Sequence, residues 1–212
     1  LADGFVVERL MSPRAALEQL ADFFALDALV GGGRVRISPR GAGLVQALTL
    51  DDLVDPEEGE PYALTRGQES ETPASLSISF LDGEGDYESA TARSRRLETR
   101  SQREGAIDVA IVATREEAQR RCDIRLQDAW NARETARFAV RPAQLALETG
   151  DMVRLPGPIA GRVYRIERIT DGAVRDIEAR AIEPGLFDQP PPATAPRRMI
   201  AGSRLPGPPV VA

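Results

Sequence analysis

The chain has 212 residues, of which 42% are hydrophobic and 28% are charged, and its formal net charge is −6. This length and composition predict one large or two small globular domains and argue against a disordered or membrane-embedded chain. Arginine alone carries the positive charge, because the sequence has neither lysine nor histidine. The commonest general base and the Schiff-base amine are therefore missing, which disfavours most enzyme classes.

The same composition bounds the location and the partners of the protein. Cys122 is the one cysteine, so an internal disulfide is excluded, and the reducing bacterial cytoplasm fits as the place of assembly. The acidic balance gives no global attraction to nucleic acid, and the apolar stretches are far shorter than a membrane-spanning helix. The chain begins at Leu1 without a signal-peptide pattern, which we interpret as a piece of a longer polypeptide.

Residues 1–60 are predicted to form a small strand-helix-strand subdomain with a connector. A strand is expected at residues 5–7, and Ser12-Pro13 predicts the start of a helix, because serine is a good N-cap and proline a good first residue. The triple glycine at 31–33 is expected to end this helix, and residues 34–38 alternate like a half-buried strand. The apolar stripe of the helix is predicted to consist of Leu17, Leu20, Ala21 and Phe24.

Residues 39–75 are rich in proline and glycine, which predicts a connector with little core of its own. The acidic run from Asp55 to Glu60 is interpreted as a solvated loop in preference to a metal or partner site. The brief apolar segment of the connector consists of Leu44, Leu48, Leu50 and Leu53.

From residue 61 to residue 188 the patterns predict short strands and one long helix, so that the whole chain belongs to the α+β class. Leu76, Ile78 and Phe80 alternate with serines and predict a strand, and residues 82–86 predict a turn. The alternating acids and glycines of that turn also suit calcium, although the spacing of a helix-loop-helix site is missing. For residues 89–104 the pattern leaves helix, strand and ribbon open.

The most strongly predicted helix begins at Thr114. Thr114 and Glu117 have the spacing of a capping box, in which each side chain bonds the backbone amide of the other residue. Cys122 and Trp130 lie on its apolar stripe and are interpreted as core residues, not as a reactive thiol or a ligand platform. The predicted stripe consists of Ala118, Cys122, Leu126, Ala129 and Trp130.

Short strands are predicted to follow the helix and to form a small barrel or sandwich. Asp171-Gly172 predicts a tight hairpin with positive backbone angles between two longer runs. Residues 189–212 are rich in proline and are expected to form an extended linker to a further domain. The predicted strand residues are Phe138 with Val140, Leu145 with Leu147, Met152 with Val153 and Leu155, and the runs 163–169 and 174–182.

The sequence yields no catalytic, cofactor-binding or metal-binding residue, and no cofactor is expected. A phosphate loop must precede a helix, whereas the triple glycine is expected to follow one. Paired carboxylates are the remaining catalytic device, but the candidates adjoin turns and are interpreted as solvated. These candidates are Asp51, Asp52, Asp82, Glu84 and Asp86. Three interpretations stay open for the arginines at 93, 95, 96, 100 and 103: they form a solvated face, they lie at a subunit interface, or they line a conduit for DNA.

Five strings in this order resemble the putative phage tail protein family, and within it the large tail-tip proteins of gene transfer agents and related prophages. The strings are Tyr62–Glu69, Phe80–Tyr87, Leu126–Glu134, Gly150–Val153 and Tyr164–Ile169.

The resemblance implies a hub subunit at the distal end of a tail tube, with three copies forming a pseudo-sixfold ring. It implies a wing subdomain at residues 4–54 and a hub barrel at 61–188, downstream of a glycosidase-like domain that this chain does not contain. The implied partners are copies of the chain itself, tail tube and baseplate proteins, DNA in the channel, and the host surface through other domains. The implied location is the tail of a virion-like particle.

Two other classes of function stay open at this stage. A cell-wall-degrading enzyme or carbohydrate-binding module of a tail tip is the main alternative, and clearing of a peptidoglycan suspension discriminates it. A receptor-binding module is the second, and capture of intact host cells discriminates that one.

Overall fold

The computed structural model describes residues 4–7, 10–31, 34–54, 60–142, 144–157, 159 and 161–188. Its described part contains two α-helices and twelve β-strands, which confirms the α+β class. The helices are α1 (Pro13–Phe24) and α2 (Arg115–Asn131). The strands are β1 (Gly4–Phe5), β2 (Leu26–Gly31), β3 (Arg34–Pro39), β4 (Val45–Ala47), β5 (Tyr62–Arg66), β6 (Ser75–Asp82), β7 (Ser89–Arg95), β8 (Glu104–Ala113), β9 (Glu134–Val140), β10 (Met152–Arg154), β11 (Val163–Asp171) and β12 (Arg175–Ile182).

The strands form three sheets. A four-stranded sheet has the order β1-β8-β6-β7, in which β6 and β8 run parallel and the other pairs antiparallel. A six-stranded sheet has the order β4-β10-β11-β12-β9-β5 and is antiparallel except for β4 with β10. Strands β2 and β3 form an antiparallel two-stranded sheet, the third sheet of the described residues. In the described part of the chain none of the three sheets closes into a barrel.

Each large sheet has its own core. The six-stranded sheet buries Tyr164, Ile166 and Ile177, together with Leu48 and Leu53 from the segment before β5. The four-stranded sheet buries the apolar sides of β6 and β8 against α2. The core residues that α2 contributes are Ala118, Cys122 and Leu126. The elements before residue 60 join both sheets, since β1 pairs with β8 and β4 with β10.

Helix α1 begins as predicted and ends earlier than predicted. The Ser12 hydroxyl accepts a hydrogen bond from the amide of Ala15 at 3.2 Å, which caps the helix. The helix ends at Phe24 because Ala25 takes a left-handed conformation with φ 51°, so the prediction that the triple glycine ends it is wrong. Phe23 is its buried residue, whereas Leu17 is 48% exposed, because α1 meets the core through its last turn.

Four further predictions from the sequence need correction. The connector at 39–75 does contribute core, since Leu48 and Leu53 are buried. Residues 144–147 form a turn and not a strand. Strands β11 and β12 form the predicted hairpin, but its loop has three residues and Gly172 has no positive φ. Residues 34–38 do form a strand, although Val35 and Ile37 are largely exposed.

Part of the sequence predictions lies outside the described residues. This holds for Gly32 and Gly33, for most of the acidic run, at 55–59, and for the proline-rich segment at 189–212. In the part of the chain that the structure describes, neither helix has the length and apolarity needed to cross a membrane.

Candidate interaction surfaces

The arginines singled out in the sequence make contacts within the chain. Arg93 forms an ion pair with Glu104 at 2.8 Å, and Arg103 donates to the carbonyl of Glu71 at 3.0 Å. The guanidinium carbon of Arg96 lies 4.3 Å from the centre of the Trp130 ring. Residues 89–95 form edge strand β7 of the four-stranded sheet. Of the segment 89–104 that the pattern left open, the first seven residues are therefore a strand, and 96–103 form the connection to β8.

The candidate carboxylates lie in two separate turns of the chain, one at residues 50–52 and the other after β6. Asp52 accepts from the amide and hydroxyl of Thr49 and from the Gln144 amide, and these bonds lower its pKa. Asp51, Glu84 and Asp86 are exposed. Among the described residues, no group of three or more acidic, histidine or cysteine side chains is arranged to hold a metal ion.

Asp82 is the exception to the interpretation of these acids as solvated, because its side chain is buried. Its carboxylate accepts from the Arg115 guanidinium at 2.6 Å and from the amide of Glu84 at 3.0 Å. Burial raises the pKa of Asp82, but these bonds outweigh it and the net pKa is lowered. Asp82 therefore joins the turn after β6 to the first residue of α2.

Cys122 and Trp130 are both part of the packing between α2 and the four-stranded sheet. The Cys122 thiol is fully buried and donates to the carbonyl of Leu76 at 3.1 Å, and burial raises its pKa to about 11. The Trp130 indole is half-buried and donates to the carbonyl of Pro73 at 2.9 Å. These contacts agree with their interpretation as core residues.

An ion network fixes the β2–β3 ribbon to the rest of the molecule. Arg40, just after β3, pairs with Asp27 of β2 at 3.3 Å and with Asp128 of α2 at 2.9 Å. Arg165 of β11 pairs with Asp27 at 2.7 Å. All four side chains are largely buried, at 28% exposure or less, so solvent screens these pairs only weakly.

The opposite face of the ribbon is apolar and points away from these ion pairs. Residues one apart on a strand point to opposite faces, so Ala28 and Ile37, a cross-strand pair, lie opposite the face that carries Asp27. Ile37 is 52% exposed and Val35 is 66% exposed on that apolar side. We define the ribbon face as Ala28, Val35, Ile37 and Pro39, all of which are exposed.

A second surface feature is a cavity of about 530 Å³ beside the end of α2. Its charged lining comes from β5, β9, β10 and the loops that follow α2, precede β11 and follow β12. We call it the arginine cavity, and its charged and aromatic lining residues are Arg66, Trp130, Arg133, Glu134, Arg154, Arg162 and Glu183.

One carboxylate of this lining is already satisfied inside the protein. Glu134 accepts from the Tyr164 hydroxyl at 2.6 Å and forms an ion pair with Arg162. Burial raises the pKa of Glu134, but the bonds from Tyr164 and Arg162 outweigh it and the net pKa is lowered. Burial, with the neighbouring carboxylate, raises the pKa of Tyr164.

Sequence reasoning missed both surfaces, for different reasons. The ribbon face could have been found, since Val35 and Ile37 alternate with arginines, but alternation does not say which side of a strand faces the core. The arginine cavity had no sequence signal, because Arg66, Arg133 and Arg154 come from segments far apart in the chain.

The model of the putative phage tail protein family matches residues 12–169, and the chain therefore belongs to this family of phage tail proteins. No curated protein sequence matches the chain.

Solved tail proteins share the fold. A chain in the virion of a native gene transfer agent particle superposes with a TM-score of 0.77 at 28% identity, over 86% of this chain and 41% of that one. The 43 kDa tail protein of prophage MuSo2 from Shewanella oneidensis gives 0.54 at 20% identity, over 86% of this chain and 58% of that one.

A tail protein from Neisseria meningitidis MC58 gives a TM-score of 0.53 at 13% identity, over 88% of this chain and 61% of that one. The last two likenesses concern the fold alone. The chain spans between 41% and 61% of the length of these three proteins.

Proposed function

We propose that the chain is a structural part of a tail hub, which joins a tail tube to tip components and leaves a passage for DNA. It acts by fitting against other subunits and carries out no reaction of its own. The observation that carries the proposal is the likeness to a chain of the gene transfer agent virion over 86% of this chain, together with the family match. Three copies form the hub, and the assembled particle forms in the bacterial cytoplasm.

The ribbon face is the surface that we assign to contact between copies. In a monomeric protein the apolar side of a two-stranded sheet usually faces the core and its polar side faces solvent. In this ribbon the polar side is held against the protein by ion pairs and the apolar side is exposed, which is rare in a monomer. Both edges of the ribbon are also unpaired in the described part of the chain. A neighbouring subunit that covers this face removes the exposed apolar surface and the unpaired edges together.

Mass by light scattering over a range of concentrations tests this proposal. We expect a species of three times the 23.0 kDa chain mass, with threefold symmetry in projection images. Val35→Asp should weaken the association by roughly ten- to a hundredfold, because it removes the burial of a valine side chain. Leu97→Asp, at a residue that is 88% exposed outside the ribbon, is the control and should associate normally.

Two results would contradict the proposal. One is a chain that stays monomeric at every concentration, and the other is a wild-type protein that clears a peptidoglycan suspension. Equal association of the Val35→Asp variant and the wild type would remove the ribbon face from the interface while leaving the trimer in place.

A further inference from the structure

We propose that the arginine cavity binds an acidic peptide segment, whose carboxylates pair with the guanidinium groups of Arg66 and Arg154. The inference rests on the proposed function only for the identity of the protein that supplies this segment, namely a neighbouring tail subunit. The binding of carboxylates itself follows from the charges and contacts of the cavity.

The cavity has an excess of positive charge in an acidic protein. Four arginines and two glutamates line it, whereas the whole chain has a net charge of −6. Glu134 forms an ion pair with Arg162 and accepts a hydrogen bond from Tyr164, and the charge of Arg66 also lowers its pKa. In the described part of the chain neither Arg66 nor Arg154 has a carboxylate at ion-pair distance, although Arg66 lies opposite Glu134 in the sheet. The four arginines therefore exceed the two glutamates of the lining by two positive charges.

Arg133 and Trp130 make one wall of the cavity rigid. The Arg133 guanidinium lies 4.9 Å from the centre of the Trp130 ring and donates to the carbonyl of Gly67 at 3.3 Å. The Trp130 ring is itself fixed by its bond to the Pro73 carbonyl and by Arg96. A guanidinium held against an aromatic ring keeps its outer N–H groups oriented, which lowers the entropic cost of binding an anion.

The lining favours carboxylates over a nucleic-acid backbone. Guanidinium groups form charge-assisted hydrogen bonds with carboxylates. The cavity already holds one carboxylate, that of Glu134, between the Arg162 guanidinium and the Tyr164 hydroxyl. The volume of about 530 Å³ accommodates a few side chains and not a duplex.

The test uses Trp130, the one tryptophan of the chain, as the reporter. The full chain is titrated with an acetylated tetraglutamate peptide while Trp130 emission is followed, and calorimetry on the same samples gives the affinity independently. The Arg66→Gln/Arg154→Gln double variant is compared with Arg14→Gln, which changes an exposed arginine on α1 outside the cavity. Tetraglutamine, inorganic phosphate and a 12-nucleotide single-stranded DNA are the competing probes.

We expect the wild type and Arg14→Gln to bind tetraglutamate equally and the double variant to bind it at least tenfold more weakly. Binding should weaken as salt is raised, because two charges are exposed to solvent. The thermal unfolding midpoint of the double variant should match that of the wild type, since both side chains are exposed.

The proposal is overturned by unchanged affinity in the double variant, by absence of binding at millimolar peptide, or by tighter binding of DNA, phosphate or tetraglutamine. These outcomes are independent of the oligomeric state. A chain that binds tetraglutamate and stays monomeric would refute the trimer and support peptide binding in the arginine cavity. A trimer that does not bind the peptide would support the proposed assembly and refute peptide binding.

Discussion

At the scale of single residues, the ionised side chains that matter most are the buried ones. The carboxylate of Glu117 lies between the guanidinium groups of Arg120 and Arg121, and its side chain is only 4% exposed. The sequence predicted a capping box in which the Glu117 carboxylate accepts a hydrogen bond from the backbone amide of Thr114. The structure retains the other half, in which Thr114 accepts from the Glu117 amide at 3.2 Å, and uses the carboxylate for the two arginines instead.

Removing this carboxylate charge should cost stability. Glu117→Gln removes the negative charge that pairs with two largely buried guanidinium groups, so we expect a loss of about 3 kcal/mol in the free energy of unfolding at neutral pH. Glu116→Gln, an exposed change in the same first turn, is the matched control and should cost less than about 1 kcal/mol. Denaturant unfolding of both variants measures the difference, and equal losses would show that the ion pairs contribute little.

The same comparison has a defined pH dependence. Burial raises the pKa of Glu117, but its two arginines outweigh burial and the net pKa lies below the ordinary 4.5. The carboxylate therefore contributes its full stabilisation above about pH 5, and the contribution is lost as the pH falls through the folded-state pKa. We expect the stability gap between wild type and Glu117→Gln to narrow on acidification. A gap that is constant from pH 7 to pH 3 would contradict this account.

Cys122 should be unreactive in the folded protein. Burial raises its pKa to about 11, so at pH 8 only about one thiol in a thousand is ionised, and the sulfur is also shielded from reagents. We expect a thiol reagent such as dithionitrobenzoate to modify the native chain far more slowly than the denatured chain. Stoichiometric reaction within seconds in native buffer would show that Cys122 is accessible.

At the scale of elements, sequence patterns found most of the strands and both helices but could not say what each element packs against. The alternating apolar residues of β6 and β12 are buried as predicted. The stripe of α2 is buried at Ala118, Cys122 and Leu126 and half-buried at Ala129 and Trp130. The alternation of Val35 and Ile37 has the same form in a ribbon whose apolar side faces solvent. Alternation with a period of two shows that one side of a strand is apolar and the other polar. Tertiary contacts decide whether the apolar side packs against the core or faces solvent.

The turn that follows β3 shows where backbone geometry constrains an element. Gly41 has φ +82°, and a Cβ there would lie 2.8 Å from the Phe187 ring, so Gly41→Ala should cost about 1–3 kcal/mol. Gly161→Ala is the matched control, because a Cβ at that position meets no atom within 4 Å and its φ is not positive. Thermal unfolding compares the two, and equal midpoints would mean that the turn shifts without cost.

At the scale of the whole molecule, two sheets with separate cores are joined by a network of ion pairs. The molecule also has two unusual surface features, the apolar ribbon face and the arginine cavity. The ordinary rules of folding explain the two cores. They do not explain an exposed apolar strand face or a lining with more arginines than glutamates, and the proposed contacts with other subunits account for both. The predicted division at residue 60 stays a prediction, and limited proteolysis at the acidic run 55–60 would test it.

Quantitative mass spectrometry of purified phage-like particles from the source bacterium tests the central claim most directly. The account predicts that peptides of this chain co-purify with the particles at three copies per tail, and that antibody to the chain marks the end of the tail away from the head. Particles that contain the other tail proteins and lack this chain, or an antibody signal on the head, would contradict it.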